Sequence, residues 1–218
     1  MNHPAGFGPD EFQAATNVSR ETLQRLRIFA ELLLRWQSDL NLVSASTLPD
    51  LWQRHMLDSA QLVDLAPKGA RRWLDLGSGA GFPGLVIAIL KSEEPGFEMH
   101  LTERLAKKCA FLTEAGKATG APVTVHHGRI ETLSPLQAEV ITARACAPLD
   151  RLLAYFERHR APGAVALFAK GRTALEELTR ARASWRLDCD VLPSRTSSDG
   201  QILRIRSAER RQNGRDHD

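Results

Sequence analysis

The stretch from Trp73 to Leu90 reads Trp-Leu-Asp-Leu-Gly-Ser-Gly-Ala-Gly-Phe-Pro-Gly-Leu-Val-Ile-Ala-Ile-Leu, and few folds can accommodate it. A short apolar run ends in a glycine-rich turn, and the turn feeds a second apolar run from Leu85. Strand, turn, helix is the natural reading. Gly77, Gly79, Gly81 and Gly84 carry no Cβ, so the backbone can take positive φ and a ligand can approach it closely. The helix that follows points free N–H groups at that ligand. The pattern predicts a nucleotide-type cradle at the end of a strand.

The rest of the chain agrees with a sheet built around that turn. From Arg71 onward, strand patterns fall at 72–76, 97–103, 122–127, 138–143, 164–169, 185–192 and 200–206. Helix patterns fall at 84–91, 105–119, 148–160 and 173–183. Alternation of this kind argues for an α/β fold, a parallel sheet covered on both faces. Only Pro193 to Gly200 separates the last two strands, so they read as an antiparallel hairpin at one edge. Seven strands, mostly parallel with a terminal antiparallel hairpin, is the plan of the Rossmann-like methyltransferases.

Upstream, Leu23, Leu26, Ala30, Leu33, Leu34 and Leu40 recur at helical spacing, which predicts an amphipathic helix over 20–39 capped by Ser19. A short helix is expected from Asp10, and another from Pro49 to about Leu65. The expected organisation is an N-terminal helical extension packed on the core (1–68), the core itself (69–207) and a basic, disordered tail (208–218).

Composition narrows the setting. The chain has 218 residues, long enough for one domain with a real core. No apolar run reaches the roughly 18 residues of a membrane span. The first residues lack the basic and apolar regions of a secretory signal. Cys109, Cys146 and Cys189 are scattered and odd in number, as expected for reduced thiols in a cytoplasmic protein, and no metal-ligand spacing is present. A net charge of +3 permits a polyanionic partner without demanding one.

Gly79-Ala-Gly81-Phe-Pro-Gly84 also satisfies the GxGxxG fingerprint of NAD proteins, with Glu103 about 20 residues on, where a ribose-binding acid belongs. Asp75 argues for a different ligand. A carboxylate at the mouth of the strand would repel a pyrophosphate but suits the ammonium and sulfonium groups of S-adenosylmethionine (AdoMet). Glu103 serves either ligand, because both have a ribose diol. The plain alternative for Asp75 is a solvated acid at a strand end.

Asp75-Leu-Gly-Ser-Gly-Ala-Gly-Phe-Pro-Gly84 resembles the AdoMet motif of the bacterial small-subunit rRNA guanine-N7 methyltransferases, the glucose-inhibited division protein B family. Asn41-Leu-Val-Ser44, Arg54-His55-Met-Leu-Asp58-Ser59, Glu103-Arg-Leu-Ala-Lys107, Gly128-Arg-Ile130-Glu131, Thr142-Ala-Arg144-Ala and Ala169-Lys170-Gly171 are similar to other segments of that family in order and spacing. The similarity runs over roughly 20–206. It implies methyl transfer from AdoMet to guanine N7 of 16S rRNA, in the small ribosomal subunit or an assembly intermediate, with no membrane and no obligate protein partner.

Carried over by position, the resemblance implies that Asp75, Gly77, Gly79, Gly81 and Phe82 line the cofactor. Glu103 would hold the ribose, Ile130 and Glu131 would bracket the adenine, and Arg144 would touch the ligand. All sit at the carboxyl ends of expected strands, where open α/β sheets bind ligands. Asn41, Arg54, His55, Asp58 and Lys170 are the target-side candidates. His55, Asp58 and Ser59 should share one helix face. Without the resemblance, that group reads as a buried polar cluster docking the N-terminal helices. Lys170-Gly171-Arg172 reads either as a solvated loop or as a phosphate contact.

Rival functions remain at this stage. One is a methyltransferase of the same fold acting on a small molecule. Another is an NAD-dependent oxidoreductase or nucleotide-sensing module. Cys146, after the fourth strand, sits where a cytosine-C5 enzyme places its nucleophile, but it lacks the Pro-Cys or Thr-Cys setting and reads as a packing residue. His126 and His127 are adjacent on a strand and should face opposite ways, which disfavours a paired metal site.

Overall fold

The computed structural model describes residues 6–211. One seven-stranded sheet runs through it, in the order β3-β2-β1-β4-β5-β7-β6. The strands are β1 (Arg72–Leu76), β2 (Glu98–Glu103), β3 (Val123–His127), β4 (Ala138–Arg144), β5 (Arg160–Lys170), β6 (Trp185–Pro193) and β7 (Gln201–Arg210). The first five are parallel; β7 pairs antiparallel with both β5 and β6. The chain order reverses beside β1, where β2 lies on one side and β4 on the other. That is the switch point at which open sheets of this kind bind ligands.

Helices α1 (Pro9–Thr16), α2 (Arg20–Leu40), α4 (Gly84–Leu90) and α5 (Ala106–Thr119) belong to one face, and α6 (Leu149–His159) and α7 (Ala174–Ser184) to the other. The central strands β1, β4 and β5 are therefore buried on both sides, as near-continuous apolar runs require, while the edge strands β3 and β6 are partly exposed. Period two decides which way β1 points. Trp73 joins the core beneath α2, α4 and α5, while Leu74 and Leu76 join the core beneath α6 and α7. Asp75 thus shares the face of Trp73, under the start of α4.

Helix α2 begins where Ser19 accepts the Thr22 N–H at 3.0 Å and ends at Asn41, which adopts the left-handed conformation at φ 44°. Phe29 carries the helix onto the glycine turn, its ring 5.2 Å from that of Phe82. The apolar cores of the N-terminal helices and of this sheet face form one cluster.

The helix expected over 49–65 differs in the structure. Residues 51–60 are one helical run whose middle is a wide turn at Trp52–Leu57 that passes directly into the three-residue α3 (Asp58–Ala60); a 3-10 turn at Val63–Leu65 follows, and another at Ala45–Thr47 precedes the run. In the wide turn the Asp58 N–H reaches back five residues to the Gln53 carbonyl. Such local widening is frequent at functional sites. The tail also differs: residues 208–210 belong to β7, where Ala208, Glu209 and Arg210 pair with Leu187, Arg186 and Trp185. Of the expected tail, 212–218 lies outside the described residues.

Candidate functional site

The glycine turn is held from below. The Thr102 hydroxyl donates to the Asp75 carbonyl and accepts the Gly77 N–H, both at 3.0 Å. The Ser78 N–H bonds the Thr102 carbonyl at 2.8 Å. Gly77, Gly79 and Gly81 stand at φ 65°, 52° and 88°, where a Cβ would be strained. Gly84 has a different reason to be glycine: a Cβ there would fall 2.5 Å from Leu101 and 2.6 Å from Asp75. The helix start is pressed onto the strand.

That packing corrects the expectation for Asp75. It does not stand at the mouth of the strand to meet a ligand. It is fully buried; one carboxylate oxygen accepts the Thr142 hydroxyl at 2.8 Å and the other the Gly84 N–H at 3.3 Å. Burial pushes its pKa up to about 6, and the bonds from Thr142, Ser78 and Gly84 only partly offset this. The reason is the strand period: Asp75 points sideways into the helix layer rather than out of the strand end. Gly81 is also behind the surface, with a Cβ position 3.1 Å from both Phe29 and Leu85.

Above the turn lies a cleft of about 680 Å³. It brings together Gly77, Gly79, Phe82, Glu103, Ile130, Glu131 and Arg144 of the expected cofactor set. Glu103 is anchored by three backbone donors: Gly79 at 3.1 Å, Arg104 at 2.8 Å and Leu105 at 2.9 Å. A carboxylate has about four acceptor sites, so one remains for a ribose hydroxyl. Ile130, Leu105 and Ala145 offer apolar contact to a base. This donor set fits AdoMet. Two lining residues were not anticipated. Tyr155 donates to Glu131 at 2.8 Å, and burial with that carboxylate pushes its pKa up to about 12. Arg151 stands near them; both lie on α6, and only the helical spacing after Leu149 could have pointed to them.

Arg144 closes the cleft on one side. It donates to His55 Nδ1 at 2.7 Å and to the Arg54 carbonyl at 3.1 Å, and pairs with Asp58 at 3.5 Å. Its guanidinium lies 5.0 Å from the Phe82 ring centroid, and His55 stacks on the same ring at 5.0 Å. His55 Nε2 bonds the Thr47 hydroxyl at 2.9 Å. Because Nδ1 accepts from Arg144, His55 is neutral, and burial with the nearby Arg144 and Arg54 charges pushes its pKa down to about 4. Both ring nitrogens are occupied, so His55 does not act as a base.

Beyond Arg144 lies a second cleft of about 1410 Å³, lined by Gln53, Arg54, Asp58, Lys170, Arg172, Arg180 and Gln201 among others. The two clefts share Arg144, Ala145, Cys146 and Ala147. The target-side candidates divide here. Arg54 is exposed in the second cleft. Asp58 is bound by Thr196 at 2.7 Å and Gln61 at 2.8 Å, tying the segment to the β6–β7 connection. Ser59 is fully buried and donates to the His55 carbonyl at 2.6 Å, so it does not join His55 and Asp58 in the site.

Asn41 is exposed and lines neither cleft; its neighbours Leu42, Val43 and Ser44 line the first. Lys170 is not a free cation on the rim. Its ammonium donates to the Ala147 carbonyl at 2.8 Å and pairs with Glu177 at 2.9 Å, with only 9% of the side chain exposed. It braces the loop between β4 and α6. The Cys146 thiol fits against the missing Cβ of Gly77, and burial with the Asp75 and Glu103 charges pushes its pKa up to about 11. His126 turns to His100 rather than His127, nitrogen to nitrogen at 2.9 Å. No cluster of three or more metal-ligating side chains occurs among the described residues.

A family model described as GidB, rRNA small subunit methyltransferase G, matches residues 22–203. The chain is 53% identical to ribosomal RNA small subunit methyltransferase G of Parvibaculum lavamentivorans, over 93% of this chain and 91% of that protein. It is 51% identical to the protein of the same name from Paramagnetospirillum magneticum, over 94% and 98%. Among solved structures, an O-methyltransferase from Bacillus cereus in complex with SAH superimposes with a TM-score of 0.56 at 17% identity, covering 82% of this chain and 90% of that one. A SAM-dependent methyltransferase from Aquifex aeolicus gives 0.55 at 15% identity, covering 73% and 94%. These structures share the fold.

Proposed function

Because the chain belongs to the rRNA small subunit methyltransferase G family, we propose that it transfers the methyl group of AdoMet to N7 of a guanine in 16S rRNA. The observation that carries this reading is the junction of the two clefts. A cleft with the donor set for AdoMet opens at Arg144 into a larger one whose polar walls mix arginines (Arg54, Arg172, Arg180) with carboxylates (Asp50, Asp150, Asp199). The donor belongs in the first and the guanine in the second. With this membership, the NAD-dependent and small-molecule readings lapse.

Bound AdoMet supplies an electrophilic methyl on a sulfonium. Guanine N7 has an exposed lone pair and carries no proton, so no general base is required. The protein has to hold N7 in line with the methyl–sulfur bond and keep water out. That agrees with a site whose histidine is neutral and doubly bonded and whose thiol stays protonated. His55, Arg144 and Phe82 form the wall between the clefts, and they position the reacting groups.

Arg104, Lys108, Arg129 and Arg151 line the first cleft; among the described residues Arg129 alone has a carboxylate within 4.0 Å, Glu131 at that limit. AdoMet has a net positive charge and a single carboxylate, so it does not call for four cations. They suit the phosphates of an RNA lying across the mouth. The substrate is folded rRNA, as naked rRNA, an assembly intermediate or the small subunit, and the reaction belongs in the cytoplasm with it.

The test incubates the protein with labelled AdoMet and small subunits, or their rRNA, from a strain lacking the enzyme. N7-methylguanine is mapped by reduction and chain cleavage. Label in 16S rRNA at one guanine is expected. Label only in tRNA or protein, or at another base, overturns the reading.

A further inference from the structure

Between β3 and β4 the chain has no α-helix. It makes one 3-10 turn, Ile130–Thr132, and then runs without regular structure to Ala138. Within the turn the Thr132 N–H and hydroxyl both go to the Arg129 carbonyl, at 3.0 and 2.9 Å. The carbonyls of Ile130 and Leu133 are bonded elsewhere, to a single face of α6.

Tyr155, Arg158 and His159 occupy that face at helical spacing. Tyr155 donates to Glu131 Oε1 at 2.8 Å. Arg158 donates twice to the Leu133 carbonyl, at 2.7 and 3.2 Å. His159 Nε2 lies 3.1 Å from the Ile130 carbonyl. A carbonyl can only accept, so Nε2 carries the proton and Nδ1 is bare. His159 is completely buried, and Nδ1 has no protein partner among the described residues.

A buried polar atom without a partner costs about 1–3 kcal/mol. A leucine or phenylalanine would fill this space without that cost. What neither would supply is the bond to Ile130. The retained cost therefore points to what the bond does, and the bond holds the turn that lines the donor cleft.

We propose that Tyr155, Arg158 and His159 are positioning residues for the methyl donor, clamping the 130–133 segment so that Ile130 and Glu131 stand against its adenine. The proposal rests on the reading that this turn flanks the adenine. The same helix starts at the loop braced by Lys170 and Glu177, where Glu177 also accepts the Leu149 N–H at 2.7 Å. The clamp is thereby anchored on the wall shared by both clefts.

Titration calorimetry with S-adenosylhomocysteine, and steady-state kinetics on small subunits, test it with four variants. His159→Phe keeps the bulk and loses the donor. One net hydrogen bond corresponds to about tenfold in affinity. H159F is expected to weaken the ligand and raise the AdoMet KM by about that factor, with kcat at saturating AdoMet and the RNA KM within about twofold. His159→Gln, whose amide can donate to the same carbonyl, is expected to recover most of the loss. Tyr155→Phe is expected to weaken the ligand about fivefold. Equal losses of kcat and affinity in H159F, or no rescue by H159Q, overturn the clamp. If H159F does not fold, Y155F decides: unchanged affinity overturns the proposal. Glu131→Ala separates the premise. If E131A weakens binding while H159F and Y155F do not, the clamp alone is wrong. If E131A leaves binding unchanged, the adenine does not lie on this turn and the proposal falls with its premise.

Discussion

Replacing Asp75 with asparagine should make the protein more stable at neutral pH. Asp75 is fully buried beneath Gly84, and burial pushes its pKa from 3.8 up to about 6. Between those values the folded state binds a proton that the unfolded state does not. Stability therefore falls as pH rises through this window. The contribution is complete below about pH 4, declines up to about pH 6 and is gone above it. At about 1.36 kcal/mol per pH unit, the step from 3.8 to about 6 corresponds to roughly 3 kcal/mol. An asparagine carries no charge to desolvate. Its carbonyl can accept the Gly84 N–H, and its amide can donate to the Thr142 hydroxyl, which then donates to the Leu74 carbonyl, now 3.5 Å away.

The assay is urea unfolding of the wild type and Asp75→Asn at intervals from pH 4 to 7.5. Other carboxylates titrate in this range; Glu139 and Glu177 are held below their ordinary values and act in the opposite direction. They are common to both proteins, so the difference between the two curves isolates Asp75. That difference should move by up to about 3 kcal/mol in favour of D75N, most of it between pH 4 and 6. S-adenosylhomocysteine affinity should change less than about threefold, under 1 kcal/mol. Parallel stability curves would refute the burial argument. A large loss of ligand affinity with parallel curves would instead put Asp75 in contact with the ligand.

Five further substitutions probe the site. His55→Ala should abolish methylation of small subunits while calorimetry still shows S-adenosylhomocysteine binding; loss of both, or a collapsed circular dichroism spectrum, would make His55 a packing residue. Cys146→Ala should retain most of the methyl transfer, because the thiol is protonated and packs on Gly77; complete inactivation with intact folding would restore the nucleophile. Lys170→Ala should cost about 3 kcal/mol of unfolding free energy in a denaturant titration by leaving the half-buried Glu177 carboxylate without its cation, with the salt dependence of RNA binding unchanged. Lys108→Gln and Arg129→Gln should each lower the slope of log affinity against log salt by about one, and leave S-adenosylhomocysteine affinity in place.

Much of the fold was legible because the signals were local. Trp73 to Leu76 and Leu85 to Leu90 are apolar runs divided by glycines, and no other local structure accommodates them. Ser19 and Asn41 bound α2 as a capping serine and a left-handed asparagine should. The misses came from partners that a local pattern does not contain. Residues 208–210 read as tail because the segment around them is rich in charge, yet β6 offers them a pairing edge and Ala208 is buried. Lys170 read as a rim cation because it ends a strand, yet Glu177 lies one helix turn into α7 and draws it inward. Tyr155 carried no sequence signal, since nothing local places Glu131 opposite its hydroxyl.

The site itself was legible as a set of residues but not as a division of labour. Motif position put Arg144 with the donor and His55 and Asp58 with the target. In the structure these three make one network, with Phe82 beneath it. A regular helix over 52–60 would have grouped Ser59 with His55 and Asp58. The wider turn leaves the latter two on Arg144 and Ser59 in the core. That turn is a backbone hydrogen-bond choice, the Asp58 N–H reaching Gln53 five residues back, and side-chain periodicity does not encode it. Arg144 is consequently a wall of both clefts. Its substitution should disturb donor and acceptor sites together, so neither effect alone can assign its role.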